Sequence, residues 1–151
     1  MSEIKKIMAA IALSPYAQAI LEYSAKMALD LDAQLFIVNI INVRDVEAIS
    51  SIESMGYKVD TDDYIRGMKE ERRAQLDEIL EHITFPKEKM RTIFKVGNPF
   101  DSLMSVVTNE GIDLIIIGRK GPSALEHILL GSVAEKMVRH STIPVLVYRK
   151  T

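Results

Sequence analysis

Four short runs made largely of apolar residues constrain this chain most: Ile4 to Ala12, "QLFIVNIINV", "DLIIIG" and "IPVLVY". Each has the length of a β-strand and offers almost no polar side to water, so each must be covered on both faces. Between the first two, Ile20, Leu21, Met27, Ala28 and Leu31 recur at helical spacing. They follow Ser14-Pro15, which reads as an N-cap and then proline at the first helical position. Two buried strands joined by one amphipathic helix pair in parallel, with a right-handed crossover.

The rest of the chain keeps this rhythm with one interruption. Arg44 to Asp63 mixes charges, serines and a glycine, and reads as an irregular excursion. A charged helix follows, roughly Tyr64 to His82, with Ile65, Met68, Leu76, Ile79, Leu80 and Ile83 marking its inner face. Its run "KEERRAQLDE" sets opposite charges at helical spacing and reads as a solvated face. "KMRTIFKV" alternates polar and apolar residues, the mark of a strand with one exposed face at a sheet edge. Gly97-Asn98-Pro99 turns into a helix ending near Gly111, and a last helix runs to about His140. The expectation is one Rossmann-like α/β domain over residues 1–151. Its five-stranded parallel sheet has order 3-2-1-4-5 and helices on both faces. A ligand would sit outside the carboxyl ends of the strands where that order reverses, between Ala12-Leu13-Ser14 and Gly118.

Composition excludes several classes of function. The 151 residues contain no cysteine, so disulfides, thiolate catalysis and cysteine metal sites are ruled out. A net charge of −2 gives no general attraction to nucleic acid or to an anionic membrane. No stretch approaches the roughly 20 apolar residues of a membrane-spanning helix. The N-terminal apolar run has strand length and reads as the first element of the fold rather than a leader, making the cytoplasm the expected location. His82, His127 and His140 fall on or at the ends of predicted helices, with no spacing suited to a shared metal. The methionines Met27, Met68 and Met137 lie on apolar faces and read as core filling.

The segment "GRKGPSALEHILLGSVAEK", Gly118 to Lys136, carries the chemistry. Ser132-Val133-Ala134-Glu135 has the form of a capping box, so a fresh helix begins at Ser132 with a positive dipole and unpaired amides. Gly118 and Gly121 leave the preceding loop without Cβ atoms, and Arg119 and Lys120 add charge. Free amides, a helix start and nearby cations are the parts of a phosphate site. Glycines after a strand and a serine before a helix are common structural punctuation, and taken singly these features favour that reading; only their spacing points to a ligand. Glu126 could hold a water near a terminal phosphate, although a solvated surface role is the simpler account.

Gly118-x2-Gly121-x9-Gly131-Ser132 resembles the nucleotide-binding pattern of the universal stress protein family. The resemblance runs through "KKIMAAIALS", "AQLFIVNI", "VGNP" and "DLIIIGRKG" to "LLGSVAEKMVRHSTIPVLVYR". It implies a glycine loop around phosphate and ribose, handled by Gly118, Lys120, Gly121, Gly131, Ser132 and Val133. Ile40 and Ile117 would lie near the nucleoside through backbone and apolar contacts. ATP or AMP, with or without Mg2+, would be the ligand. ATP-binding members usually carry an aspartate at the end of the first strand, where this chain has Ala12. Losing one charge-assisted hydrogen bond costs about 1.5–3 kcal/mol, a roughly ten- to hundredfold loss in affinity.

No Ser-His-Asp set is brought together by this fold, so the expectation is a regulatory nucleotide-binding protein rather than an enzyme, with slow ATP hydrolysis at most. "IPVLVY", Ile143 to Tyr148, is apolar on both sides at a sheet edge, and the resemblance implies a homodimer through it. The competing expectation is a dimeric stress-response interaction protein whose glycine loop holds no nucleotide.

Overall fold

The structure, a computed structural model, describes residues 3–119 and 130–149. The apolar runs form strands. β1 (Lys6–Ala10) is central, and its Met8 and Ala9 point to opposite faces with neither reaching solvent. β2 (Gln34–Asn42) and β4 (Leu114–Gly118) flank it. β3 (Met90–Gly97) lies beyond β2, and β5 (Val145–Tyr148) beyond β4. The order is β3-β2-β1-β4-β5, and every neighbouring pair is parallel. The expected sheet is the one adopted, with the alternating strand at one edge. That edge strand carries Arg91 and Lys95, whereas β5 carries no charge.

Both faces of the sheet are covered, as wholly apolar strands require. On one face α1 (Ala17–Asp30) and α3 (Thr61–Leu80) bring Ile20, Leu21, Ala25 and Leu76 against Ile7, Ala9 and Ile37. On the other, α4 (Pro99–Glu110) and α5 (Ser132–His140) bring Leu103, Val106 and Met137 against Met8, Phe36 and Ile115. Fully burying a side chain of this size stabilises by about 1.5–3 kcal/mol, so these two layers dominate the folding energy. Asp113 locks the central pair at its amino end. Its carboxylate accepts the amides of Lys5 at 2.9 Å and Lys6 at 3.0 Å, while its own amide donates to the Lys6 carbonyl at 2.8 Å.

Three local expectations need correction. Arg44 to Asp63 is not irregular, because most of it is the helix α2 (Val43–Ser54). This helix buries no residue. Its start is held by the Asn42 side chain, which accepts the Arg44 amide at 3.0 Å. Its far end is tied to α3 by Glu53, which accepts the Thr61 amide at 3.1 Å and pairs with the Thr61 hydroxyl. Secondly, Ser14-Pro15 does not open α1. Ser14 accepts the amides of Tyr16 and Ala17 in a turn, with Pro15 inside it, and the helix begins at Ala17. Thirdly, Ser132 is the first helical residue of α5 rather than its cap. Gly131 holds the cap position with extended backbone, φ −67° and ψ 159°, and no side chain caps the helix. Glu135 pairs instead with Arg139, at 3.0 Å.

Candidate functional site

Strand order reverses between β1 and β4. The chain leaves β1 through α1 to reach β2 on one side, and leaves β3 through α4 to reach β4 on the other. Sheets of this kind open a crevice at that point, outside the strand carboxyl ends. Ala10 is in register with Val38 and Ile117, which brings Ala12, Ile40 and Gly118 to one rim. Ile117 is 7% exposed and its side chain belongs to the core under α4 and α5, so only its backbone is available to the crevice. Ile40 is half-buried against the same core.

The start of α5 faces this rim through a short tether. The Arg119 amide donates to the Tyr148 carbonyl at 3.0 Å, and the Gly131 amide donates to the Arg119 carbonyl at 2.7 Å. The helix start is thereby fixed to the end of β4. The Glu135 amide donates to Gly131, closing the first helical turn and leaving the amides of Ser132, Val133 and Ala134 without an intrahelical partner. Because Gly131 has no side chain to offer as a cap, those amides keep their capacity for an anion, with the positive end of the dipole behind them. The Ser132 side chain is exposed, while the Val133 side chain packs on the core. Lys120, Gly121, Glu126 and His127 lie outside the described residues.

Sequence reasoning missed two residues at the rim. Asn39 is 3% exposed; its Nδ2 donates to the Ile11 carbonyl at 2.8 Å, and its Oδ1 accepts from Arg72 Nη1 at 2.7 Å. Arg72 also donates to the Ile40 carbonyl, at 3.3 Å. Arg72 comes from the run read as a solvated face, yet its guanidinium is drawn in over the ends of β1 and β2. The available signal was Asn39 itself, since a polar residue inside an apolar strand run demands a partner.

No metal-binding group of three or more His, Asp or Glu occurs among the described residues. His140 lies in the last turn of α5, its ring edge-on to Phe100 at 6.2 Å, and His82 follows the end of α3. A second concavity of about 470 Å3 lies along the middle of β3, lined by Arg66, Lys69, Glu70, Arg73, Thr92, Ile93 and Phe94. Arg66 pairs with Asp63 and Arg73 stacks over Phe94 at 5.1 Å, so two of its three cations already have partners in the fold.

The family model described as the universal stress protein family matches residues 3–149. The chain belongs to that family. Among its relatives, the universal stress protein MJ0577 of Methanocaldococcus jannaschii is 34% identical over 83 residues, 55% of this chain and about half (51%) of that protein. The universal stress protein YxiE of Bacillus subtilis is 27% identical over 146 residues, covering 95% of this chain and 98% of the relative. The solved structure of MJ0577 superposes over 99% of both chains, with a TM-score of 0.77 and 25% identity. More distant family structures share the fold. One, in complex with cAMP, has a TM-score of 0.62 and 19% identity over 99% of this chain and 100% of that one. Another, from Archaeoglobus fulgidus in complex with dAMP, has a TM-score of 0.59 and 18% identity over 98% and 100%. No helix among the described residues is long and apolar enough to cross a membrane.

Proposed function

We propose that this protein binds an adenine nucleotide, ATP or AMP with or without Mg2+, and that occupancy serves as a regulatory signal in a stress response. The observation that carries this reading is the uncapped start of α5, tethered beside Gly118 at the strand-order reversal. Family structures in complex with cAMP and dAMP support the same ligand class. In this reading the amides of Ser132 and Val133 take phosphate, Lys120 adds charge, and Gly118, Gly121 and Gly131 permit close approach. The Gly131 amide is engaged by Arg119, so Gly131 acts by its lack of a side chain rather than as a donor. Ile117 and Ile40 border the nucleoside.

The chemistry is binding rather than turnover. No general base for water stands at the described rim, and ATP hydrolysis is expected no faster than about one per minute, against the usual ~1–10³ per second. The protein acts in the cytoplasm as a homodimer joined through Ile143 to Tyr148, where β5 exposes its outer edge.

Thermal denaturation with millimolar ATP or AMP, with and without Mg2+, tests the reading, together with mass spectrometry of any nucleotide released on unfolding. A rise in Tm of several degrees is expected. If no purine nucleotide shifts Tm, the second reading takes its place: a dimeric interaction protein without nucleotide, which Ala12 favours by bringing no acceptor to the rim.

A further inference from the structure

We infer that Arg72 forms a second anion subsite at the nucleoside end of the crevice, so that the preferred ligand is a nucleotide carrying an additional phosphate on its ribose. The inference rests on the nucleotide reading above and names the ligand class within it.

Arg72 sits one turn before the fully buried Leu76 on α3, which presses its guanidinium against the sheet. Asn39 aims it. A guanidinium only donates, so Asn39 must turn Oδ1 to Arg72 and Nδ2 to the Ile11 carbonyl, and the two bonds of 2.7 and 2.8 Å fix that orientation. One nitrogen, Nη1, makes both bonds to the fold, to Asn39 and to the Ile40 carbonyl. The other guanidinium donors have no protein partner among the described residues.

The charge is also unmatched. No carboxylate pairs with Arg72 among the described residues. The residues three and four away on its helix are Met68, Lys69, Gln75 and Leu76, none of them acidic. Ala12, directly after the Ile11 carbonyl that Asn39 holds, brings no acid from β1. A partly buried cation without a counter-charge gives up hydration that two neutral acceptors, Asn39 Oδ1 and the Ile40 carbonyl, replace only in part. An anionic ligand would supply the missing partner, and a planar guanidinium fork suits phosphate best.

The position selects which phosphate. In parallel sheets that bind dinucleotides, an acid near the strand end holds a free ribose hydroxyl, and an arginine in that region accommodates a ribose phosphate instead. Here the rim has the arginine and lacks the acid. β2 and β4 flank β1, so two strand spacings, roughly 10 Å, separate the Ile40 anchor of Arg72 from Gly118. A nucleoside lying across the strand ends would bridge that span from α5 on one face of the sheet to Arg72 of α3 on the other, with the 5′-phosphate at α5 and a ribose phosphate at Arg72.

Isothermal calorimetry on the full chain, at one fixed salt concentration, compares AMP, adenosine 3′,5′-bisphosphate, adenosine 2′,5′-bisphosphate and pyrophosphate. At least one bisphosphate is expected to bind about tenfold or more tightly than AMP, and Arg72→Gln should bring that ratio close to one. Arg72→Lys keeps the charge and one donor for Asn39, and should retain part of the ratio in a protein that folds even if Arg72→Gln does not. Ala12→Asp, which gives Arg72 a counter-charge, should lower the ratio. If AMP binds and neither bisphosphate binds more tightly, or the advantage survives in Arg72→Gln, the inference is overturned and the nucleotide reading stands. Pyrophosphate binding as tightly as the bisphosphates would overturn it too, because the nucleoside would then contribute nothing. If none of the nucleotides binds, both readings fall together.

Discussion

The Gly131 amide donates to the carbonyl of Arg119 at 2.7 Å, joining the two ends of the segment that carries Lys120 and Gly121. A segment that departs from the end of a strand and returns to the same point delivers the start of the next helix to that strand. The first amides of α5 are therefore positioned by a bond made before the helix begins. Gly131→Pro tests this, because φ at Gly131 is −67°, a value proline adopts, and the substitution removes the donor. Losing the bond should cost about 1 kcal/mol, lowering the apo Tm by about 2–4 °C. The Tm rise caused by nucleotide should fall by at least half. An unchanged nucleotide shift would show that the tether does not position the amides.

Ser132→Ala separates binding from folding. In the nucleotide reading the Ser132 hydroxyl as well as its amide meets phosphate; since that hydroxyl is exposed and caps nothing, its loss should weaken nucleotide binding while changing stability by less than about 0.5 kcal/mol. Chemical denaturation decides the point. A loss of about 1 kcal/mol, the usual value of a helix cap, would return Ser132 to the capping role its sequence context suggests.

Pairing through β5 can be tested without touching its bonds to β4. The Pro144 carbonyl accepts from Ile115 and the Tyr148 carbonyl from Arg119, so Val145 and Val147, which alternate with them, turn their amides to the open edge. Val147→Pro removes one outward donor on an edge strand, where proline is tolerated. Light scattering at micromolar concentration should report a dimer for the parent chain and a shift toward monomer for the variant. Equal masses for the two proteins would exclude this edge as the contact.

Gly97 marks a close approach. A Cβ built there would overlap Ser102 Oγ, while the Ser102 Cβ stands at an ordinary 3.6 Å. Gly97→Ala forces the Ser102 hydroxyl to turn away and should destabilise by about 0.5–1.5 kcal/mol, the cost of a side chain pushed from its preferred rotamer. Adding Ser102→Ala should recover most of that loss. If the double variant is no more stable than Gly97→Ala, the steric account is wrong.

Asp32 pairs with Lys89 across the surface, and the Lys89 hydrogen bond, followed by its charge, holds the Asp32 carboxyl below the usual carboxylate value. A carboxyl depressed in the fold contributes stability that is present above its unfolded value and is lost as pH falls through the folded one. Asp32→Asn should thus flatten the decline of Tm below about pH 4, a small and salt-sensitive effect for so exposed a pair. Parallel Tm profiles for the two proteins in that range would remove Asp32 from the acid response.

The sequence makes the sheet legible because its signals are strong and local. Runs such as Leu114 to Ile117 admit few alternatives, and the alternation in Met90 to Val96 places that strand at an edge. Helix α2 was illegible because its stability comes from the Asn42 cap and the Glu53–Thr61 link rather than from an apolar face. The one-residue shift at Ser132 has a tertiary cause: Gly131 is drawn to Arg119, and that contact decides where the helix starts. Arg72 is hidden for another reason. Among the charges of "KEERRAQLDE" nothing separates it from its neighbours, and only the buried Asn39 across the fold turns it inward.

The two rims of the sheet are unequal. β3 carries Arg91 and Lys95, and α3 sets Lys69 and Arg73 along the concavity at that edge, so cations outnumber the single carboxylate of Glu70 there, while β5 from Val145 to Tyr148 is uncharged. Two β3 rims laid side by side would set like charges together, and two β5 rims would not. A sheet that accepts a neighbour at only one end stops growing after a single addition. If copies pair through β5 as proposed, this edge chemistry would favour closed pairs over polymeric ribbons, set by where the lysines are and where they are not.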